Sequence, residues 1–84
     1  MKTKIIENMS QVKFEKTCRC MKELSRQNDN DSSKVCEFHK RREYQVDVYF
    51  CLEKSHYKVY QNGGWNDFVF LDEDEFKENF EMIL

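Results

Sequence analysis

Ten residues, Tyr44 to Glu53, read YQVDVYFCLE, with Tyr44, Val46, Val48, Phe50 and Leu52 alternating against Gln45, Asp47, Tyr49, Cys51 and Glu53. A period of two over ten positions, rich in β-branched and aromatic types, predicts a strand with one buried face. A helix would scatter these apolar residues around its whole circumference. A second alternation follows, with Tyr57 and Val59 against His56, Lys58 and Tyr60, and a third apolar run spans Trp65 to Leu71. Lys54-Ser55 and Asn62-Gly63-Gly64 supply turn residues between the runs. The expectation is an antiparallel meander with strands near 44–53, 56–61 and 65–70, and an extra edge strand around Val35 to Lys40.

Upstream, Phe14, Cys18, Met21 and Leu24 recur at steps of four, three and three among Lys, Glu and Arg. That spacing predicts a helix over 10–27. A strand with Val12, Phe14, Cys18 and Cys20 on one face is the competing reading, and Lys16 interrupts its alternation. The cluster QNDNDSS at 27–33 predicts a mobile polar loop. Downstream, Asp72 precedes Glu75 by three residues, a capping box, while Leu71 and Phe76 occupy the positions of a hydrophobic staple. Phe76, Phe80 and Ile83 then give a C-terminal helix one apolar face. The predicted fold is α+β: a small antiparallel sheet of three to four strands with an N-terminal helix and a C-terminal acidic helix.

With 84 residues the chain forms a single domain, 1–84, whose small core depends on seven Phe, four Tyr and one Trp. No apolar run approaches the ~18 residues of a membrane span, and MKTKIIENMS lacks the apolar stretch of a signal peptide. A cytoplasmic protein with no membrane partner is expected, which favours thiols or metal ligands over disulfides among Cys18, Cys20, Cys36 and Cys51. It also makes the triplets Asn8-Met9-Ser10 and Asn30-Asp31-Ser32 incidental as glycosylation signals.

Charge is unevenly distributed. Residues 1–43 carry 11 Lys/Arg against 7 Asp/Glu, and residues 44–84 carry 3 against 9. Asp67, Asp72, Glu73, Asp74, Glu75, Glu78 and Glu81 face a single base, Lys77, within 67–84. Acids in a first helical turn meet the positive end of the helix dipole, but a cap and one box acid suffice for that. The surplus predicts an acidic surface that a phosphate-binding groove of Lys and Arg accepts. Trp65, Tyr49 and Tyr60 are candidate aromatic anchors, although Trp65 reads first as a core residue.

Gly64, Trp65 and Asn66, followed by the acids Asp72 to Glu75 and Phe76, resemble the C-terminal run of the small phage-encoded anti-CRISPR proteins of the Listeria prophage type. Those proteins inhibit an RNA-guided DNA nuclease by occupying its site for the duplex motif beside the target. The resemblance implies a non-enzymatic phage or mobile-element inhibitor that mimics nucleic acid. Its partner would be a host nuclease or other nucleic-acid-binding protein, met through Trp65, Asn66, Asp67, Asp72, Glu73, Asp74, Glu75 and Glu78.

The alternative is a small zinc-binding adaptor or nucleic-acid-binding module. Cys18-Arg-Cys20 and Cys36-Glu-Phe-His39 offer the four soft ligands of a closed tetrahedral site, similar in outline to a SWIM-type zinc finger. Residues two apart point ~200° apart on a helix but to one side on a strand, so zinc requires the 10–27 helix to be absent. Lesser readings are direct nucleic-acid contact by His39-Lys40-Arg41-Arg42 and a Cys36–His39 nucleophile and base, which lacks an orienting third group.

Overall fold

The computed structural model describes residues 12–51, 54–61 and 65–83. The Asn62-Gly63-Gly64 turn, the strand end at 52–53, Gly64 of the anti-CRISPR-like run and the Asn8-Met9-Ser10 triplet lie outside the described residues. The order of elements is β1 (Val12–Cys20), β2 (Leu24–Gln27), β3 (Val35–Phe38), β4 (Glu43–Cys51), β5 (Lys54–Tyr60), β6 (Phe68–Asp72), α1 (Glu73–Asn79) and β7 (Phe80–Ile83). Five strands make one antiparallel sheet in the order β6-β5-β4-β1-β7, and β2 and β3 form a separate hairpin.

Among the described residues the helix predicted over 10–27 is absent and most of the structure is strand, which overturns the predicted α+β class. Residues 12–20 are β1, paired antiparallel with β4 from Val12↔Phe50 to Arg19↔Glu43, and Leu24–Gln27 belong to the hairpin. Helix propensity in KFEKTCRC is worth a few tenths of a kcal/mol per residue. Pairing β1 to β4 instead buries Cys18 and Cys20 together on one face, which no helix allows. Met21, counted in the helical stripe, is exposed between the strands. Lys16, the apparent interruption, pairs with the buried Val46 and is itself exposed. Among the described residues the sheet thus has five strands where three to four were expected. Lys54 and Ser55 are strand residues of β5 and make no turn, since Cys51 already pairs with Lys54.

One face of the sheet carries the core: Cys18 and Cys20 of β1, Tyr44, Val46 and Val48 of β4, Tyr57 and Val59 of β5, Val69 and Leu71 of β6, and Phe80 of β7. Among the described residues two elements cover it. The β2–β3 hairpin inserts Cys36 and Phe38, with Phe38 edge-on to Tyr44 at 5.0 Å and to Phe80 at 5.5 Å. Helix α1 connects the two edge strands, crossing the core face with Phe76 inward. Arg26 of the hairpin is ion-paired with Glu75 of α1, joining the two covers.

The 27–33 loop, expected to be mobile, is bonded at both ends and to the sheet. Asn28 N–H donates to the Lys34 carbonyl, and Asp29 N–H to the Phe68 carbonyl. In return Phe70 N–H donates to the Asp29 carboxylate at 2.7 Å. Asn28, 2% exposed, donates from Nδ2 to Asp67 Oδ1 and accepts the Asn30 and Asp31 amides at Oδ1. These contacts occupy backbone groups on the outer edge of β6 that would otherwise invite another strand.

The second face is not solvated as the alternation predicts. Asp47, Tyr49, Lys58, Tyr60 and Phe68 are buried there. Tyr60 Oη donates to Asp47 Oδ2 at 2.8 Å, and Lys58 Nζ lies 4.1 Å from the Phe68 ring centroid, a cation–π contact in a desolvated setting. Sequence alternation missed this because a charged pair of strand neighbours, Asp47↔Lys58, reads as two outward positions.

Candidate functional site

Asp72 is the N-cap of α1, and its carboxylate accepts the Glu75 amide at 2.8 Å. Extended backbone at Asp72 and a carboxylate three residues before an amide is the local reason a helix starts here. The same helix ends without a loop, as Phe80 leaves helical geometry and enters β7 directly. Strand, helix and strand therefore follow one another across 72–80 with no linker. Inside, Phe76 stacks on Tyr57 and on Phe80, at 4.0 Å and 5.4 Å between centroids. The acids of α1 are held on a short, anchored scaffold.

Their surroundings differ. Glu73 is paired with Lys77 at 2.9 Å, one turn along, and the Glu73 carboxylate raises the Lys77 ammonium above its ordinary value. Glu75 is engaged by Arg26. Asp74 and Glu78 are exposed and form no ion pair among the described residues. They stand four residues apart, on one side of the helix. Asp72, Glu73 and Asp74 also rim a hollow of about 200 Å³ with Lys54, Ser55 and His56 of β5.

The eight predicted contact residues do not form one surface. Asp67 precedes β6 and Asp72 ends it, so ~16 Å of strand separates the two groups. Asp67 is partly buried and taken up by Asn28, and the Asn66 carbonyl accepts Asn30 Nδ2. Trp65 is not a core residue. It is 67% exposed and sits edge-on to Tyr60 at 4.9 Å, over the face of the sheet that α1 does not cover. Tyr49 and Tyr60, proposed as anchors beside it, are buried. Glu81, counted with the acidic surplus, is bonded to Arg19 along with Glu43.

For zinc, residues 12–20 are a strand as that reading requires, but the four ligands are not brought together. Cys18 and Cys20 share one side of a strand, but Cys20 Sγ donates to the Lys22 carbonyl at 2.8 Å and Cys36 lies in the hairpin. His39 Nδ1 is 3.2 Å from Glu23 Oε1. Among the described residues no group of three or more His, Cys, Asp or Glu is gathered to hold a metal ion. Burial pushes the Cys18 thiol up to about 12, and the Cys36 thiol up to about 11. A nucleophile needs the opposite shift. The basic run 39–42 forms the β3–β4 turn, closed by Arg42 N–H to the His39 carbonyl, with Arg41 at a φ of 76°.

No protein-family model matches the chain, and neither a curated protein nor a solved structure matches it. Among the described residues no helix is long and apolar enough to cross a membrane.

Proposed function

We propose that the chain is a non-enzymatic interaction protein that binds a cationic, nucleic-acid-handling partner through the acids of α1, in the manner of a phage or mobile-element inhibitor of a host nuclease. The observation that carries this reading is the pair Asp74 and Glu78, two exposed carboxylates without ion pairs among the described residues, on a helix joined to strands at both ends. One turn of helix sets them ~6 Å apart along the axis, a fixed separation of the order of neighbouring phosphates on a nucleic-acid strand. Preorganised charge lowers the cost of ordering on binding and steers encounter with a basic groove. The working surface is therefore narrower than the sequence suggests: Asp72, Glu73, Asp74 and Glu78, with Glu75 shared with Arg26. The resemblance of 64–76 to the anti-CRISPR proteins supports the same class of partner.

The test compares the wild-type chain with Asp74→Lys/Glu78→Lys as bait in a nuclease-treated bacterial lysate. The expected result is retention of basic nucleic-acid enzymes by the wild type, release by added duplex DNA or by salt, and at least tenfold weaker retention by the variant. Equal retention by a folded variant refutes the proposal.

A further inference from the structure

Lys22, Lys40, Arg41 and Arg42 come together at the end of the sheet where β1 stops and β4 starts. The turn that carries three of them is closed by Arg42 N–H to the His39 carbonyl at 3.1 Å. It is also bonded to the end of β1, with Cys20 N–H donating to the Arg42 carbonyl at 2.9 Å and Arg41 N–H to the Cys20 carbonyl at 2.8 Å. Tyr44 Oη accepts the His39 amide at 2.7 Å. Lys22 stands two residues beyond Cys20, and its neighbour Glu23 accepts the Lys40 amide at 2.8 Å. All four cationic side chains are exposed and enter no ion pair among the described residues. Two nearby acids are already engaged. The Lys40 amide and His39 Nδ1, at 3.2 Å, take up Glu23 and hold its carboxyl below the ordinary value, and Arg19 takes up Glu43.

Arg41 has a φ of 76°, in the left-handed region, at the third position of this turn. A residue with a Cβ is disfavoured there and glycine is not. Turn geometry alone therefore selects against the arginine, whose guanidinium is nonetheless presented at the tip of a bonded loop. Backbone held in disfavoured regions concentrates where ligands are met.

We infer that this end of the chain binds the phosphate backbone of a nucleic acid, with Lys22, Lys40, Arg41 and Arg42 as the phosphate contacts. The planar guanidinium fork matches two phosphate oxygens at once, and the lysines add point charge. Contacts confined to phosphates position a protein and read no bases, so the binding is independent of sequence. A membrane surface fits less well. Cations that hold a protein on a lipid layer work with a broad apolar face, whereas the apolar side chain adjoining Lys22 is the single exposed Met21. The inference uses none of the acids of α1, so it stands or fails separately from the proposed inhibitor function.

The experiment is fluorescence anisotropy of a labelled DNA duplex of about 20 base pairs, titrated with the full chain at salt from about 20 to about 150 mM. Saturable binding with a dissociation constant of ~10–100 µM at the lowest salt is expected, weakening with a log–log slope of about −3 to −4 for four phosphate contacts. Arg41→Gly is expected to bind at least about threefold more weakly, with a slope shallower by about 1. The same variant is expected to melt within about 4 °C of wild type or above it, because glycine suits the backbone at this position. Lys40→Gln/Arg42→Gln is expected to lose at least about tenfold. Lys34→Gln, which removes an exposed cation at the far end of the hairpin, is expected to stay within about twofold of wild type. Absence of binding at the lowest salt overturns the inference, as does an Arg41→Gly variant that binds like wild type or melts well below it. An equal loss in Lys34→Gln also overturns it, and so does retention on phosphatidylserine–phosphatidylcholine vesicles without binding to the duplex.

Discussion

Tyr57 of β5 and Phe76 of α1 stack face to face, with ring centroids 4.0 Å apart and planes 5° from parallel. This contact fixes the helix to the sheet, because Phe76 is the one buried residue of α1. Phe76→Ala is expected to cost ~3–5 kcal/mol, the usual penalty for emptying an aromatic site. In a domain whose total stability is ~5–15 kcal/mol that is a large share. Phe76→Leu, which keeps most of the volume, is expected to lose less than half as much. Urea denaturation followed by far-UV circular dichroism measures both.

The cap and the charge of α1 are separable. Asp72→Ala removes the acceptor for the Glu75 amide and is expected to cost ~0.5–2 kcal/mol, whereas Asp72→Asn preserves the cap and costs little. Asp74→Ala touches no such bond and is expected to fall within ~0.5 kcal/mol of wild type. Thermal unfolding of the three variants checks the order. An Asp74 effect as large as that of Asp72 would show that the helix start rests on more than the cap.

Asn28 secures the polar loop to the β6 edge. Its side chain is buried and satisfies Asp67 and the amides of Asn30 and Asp31. Asn28→Ala removes the partner of these part-buried groups, at an expected cost of ~1–3 kcal/mol. The local consequence is faster amide exchange at Phe70, whose N–H is held by the neighbouring Asp29. Exchange at Phe70 unchanged in a folded Asn28→Ala protein would place the clamp elsewhere.

The buried thiols set a pH dependence. Burial raises Cys18 from 9.0 to about 12 and Cys36 from 9.0 to about 11. Above pH 9 the unfolded chain gives up these protons before the folded chain does, so it binds fewer of them. Stability is full below the unfolded value and falls as pH rises toward the folded values, with a slope of ~1.4 kcal/mol per pH unit per thiol. Denaturant midpoints measured from pH 7 to pH 11 are expected to decline only above about pH 9. At pH 8 Cys18 and Cys36 are expected to resist alkylation until the chain unfolds, as peptide mapping by mass spectrometry would show.

The sequence was most informative where the cause of structure is local. Alternation from Tyr44 to Cys51 announces β4, since a pleated backbone turns successive side chains to opposite faces. Asp72 followed by Glu75 announces the start of α1 because a carboxylate and an amide three residues apart meet without help from the rest of the chain. Asp74 and Glu78 as surface acids follow from the same few residues. The unusual weight of carboxylate in the last third of the chain is likewise written in the sequence alone.

Tertiary structure decided what depends on distant partners. β1 reads as a helix by its own residues, and it becomes a strand because β4, thirty positions later, offers an edge whose pairing buries Cys18 and Cys20. Trp65 is exposed because it meets Tyr60 on the face of the sheet away from the core, and the 27–33 loop is fixed because the β6 edge accepts the Asp29 amide and donates the Phe70 amide to the Asp29 carboxylate. Asp67 and Glu78 are neighbours by composition yet belong to different surfaces, since a strand stands between them. Local sequence sets which backbone conformations are favourable by fractions of a kcal/mol. Burial over a whole face, which only the folded chain assembles, outweighs those fractions and determines which side chains remain available to a partner.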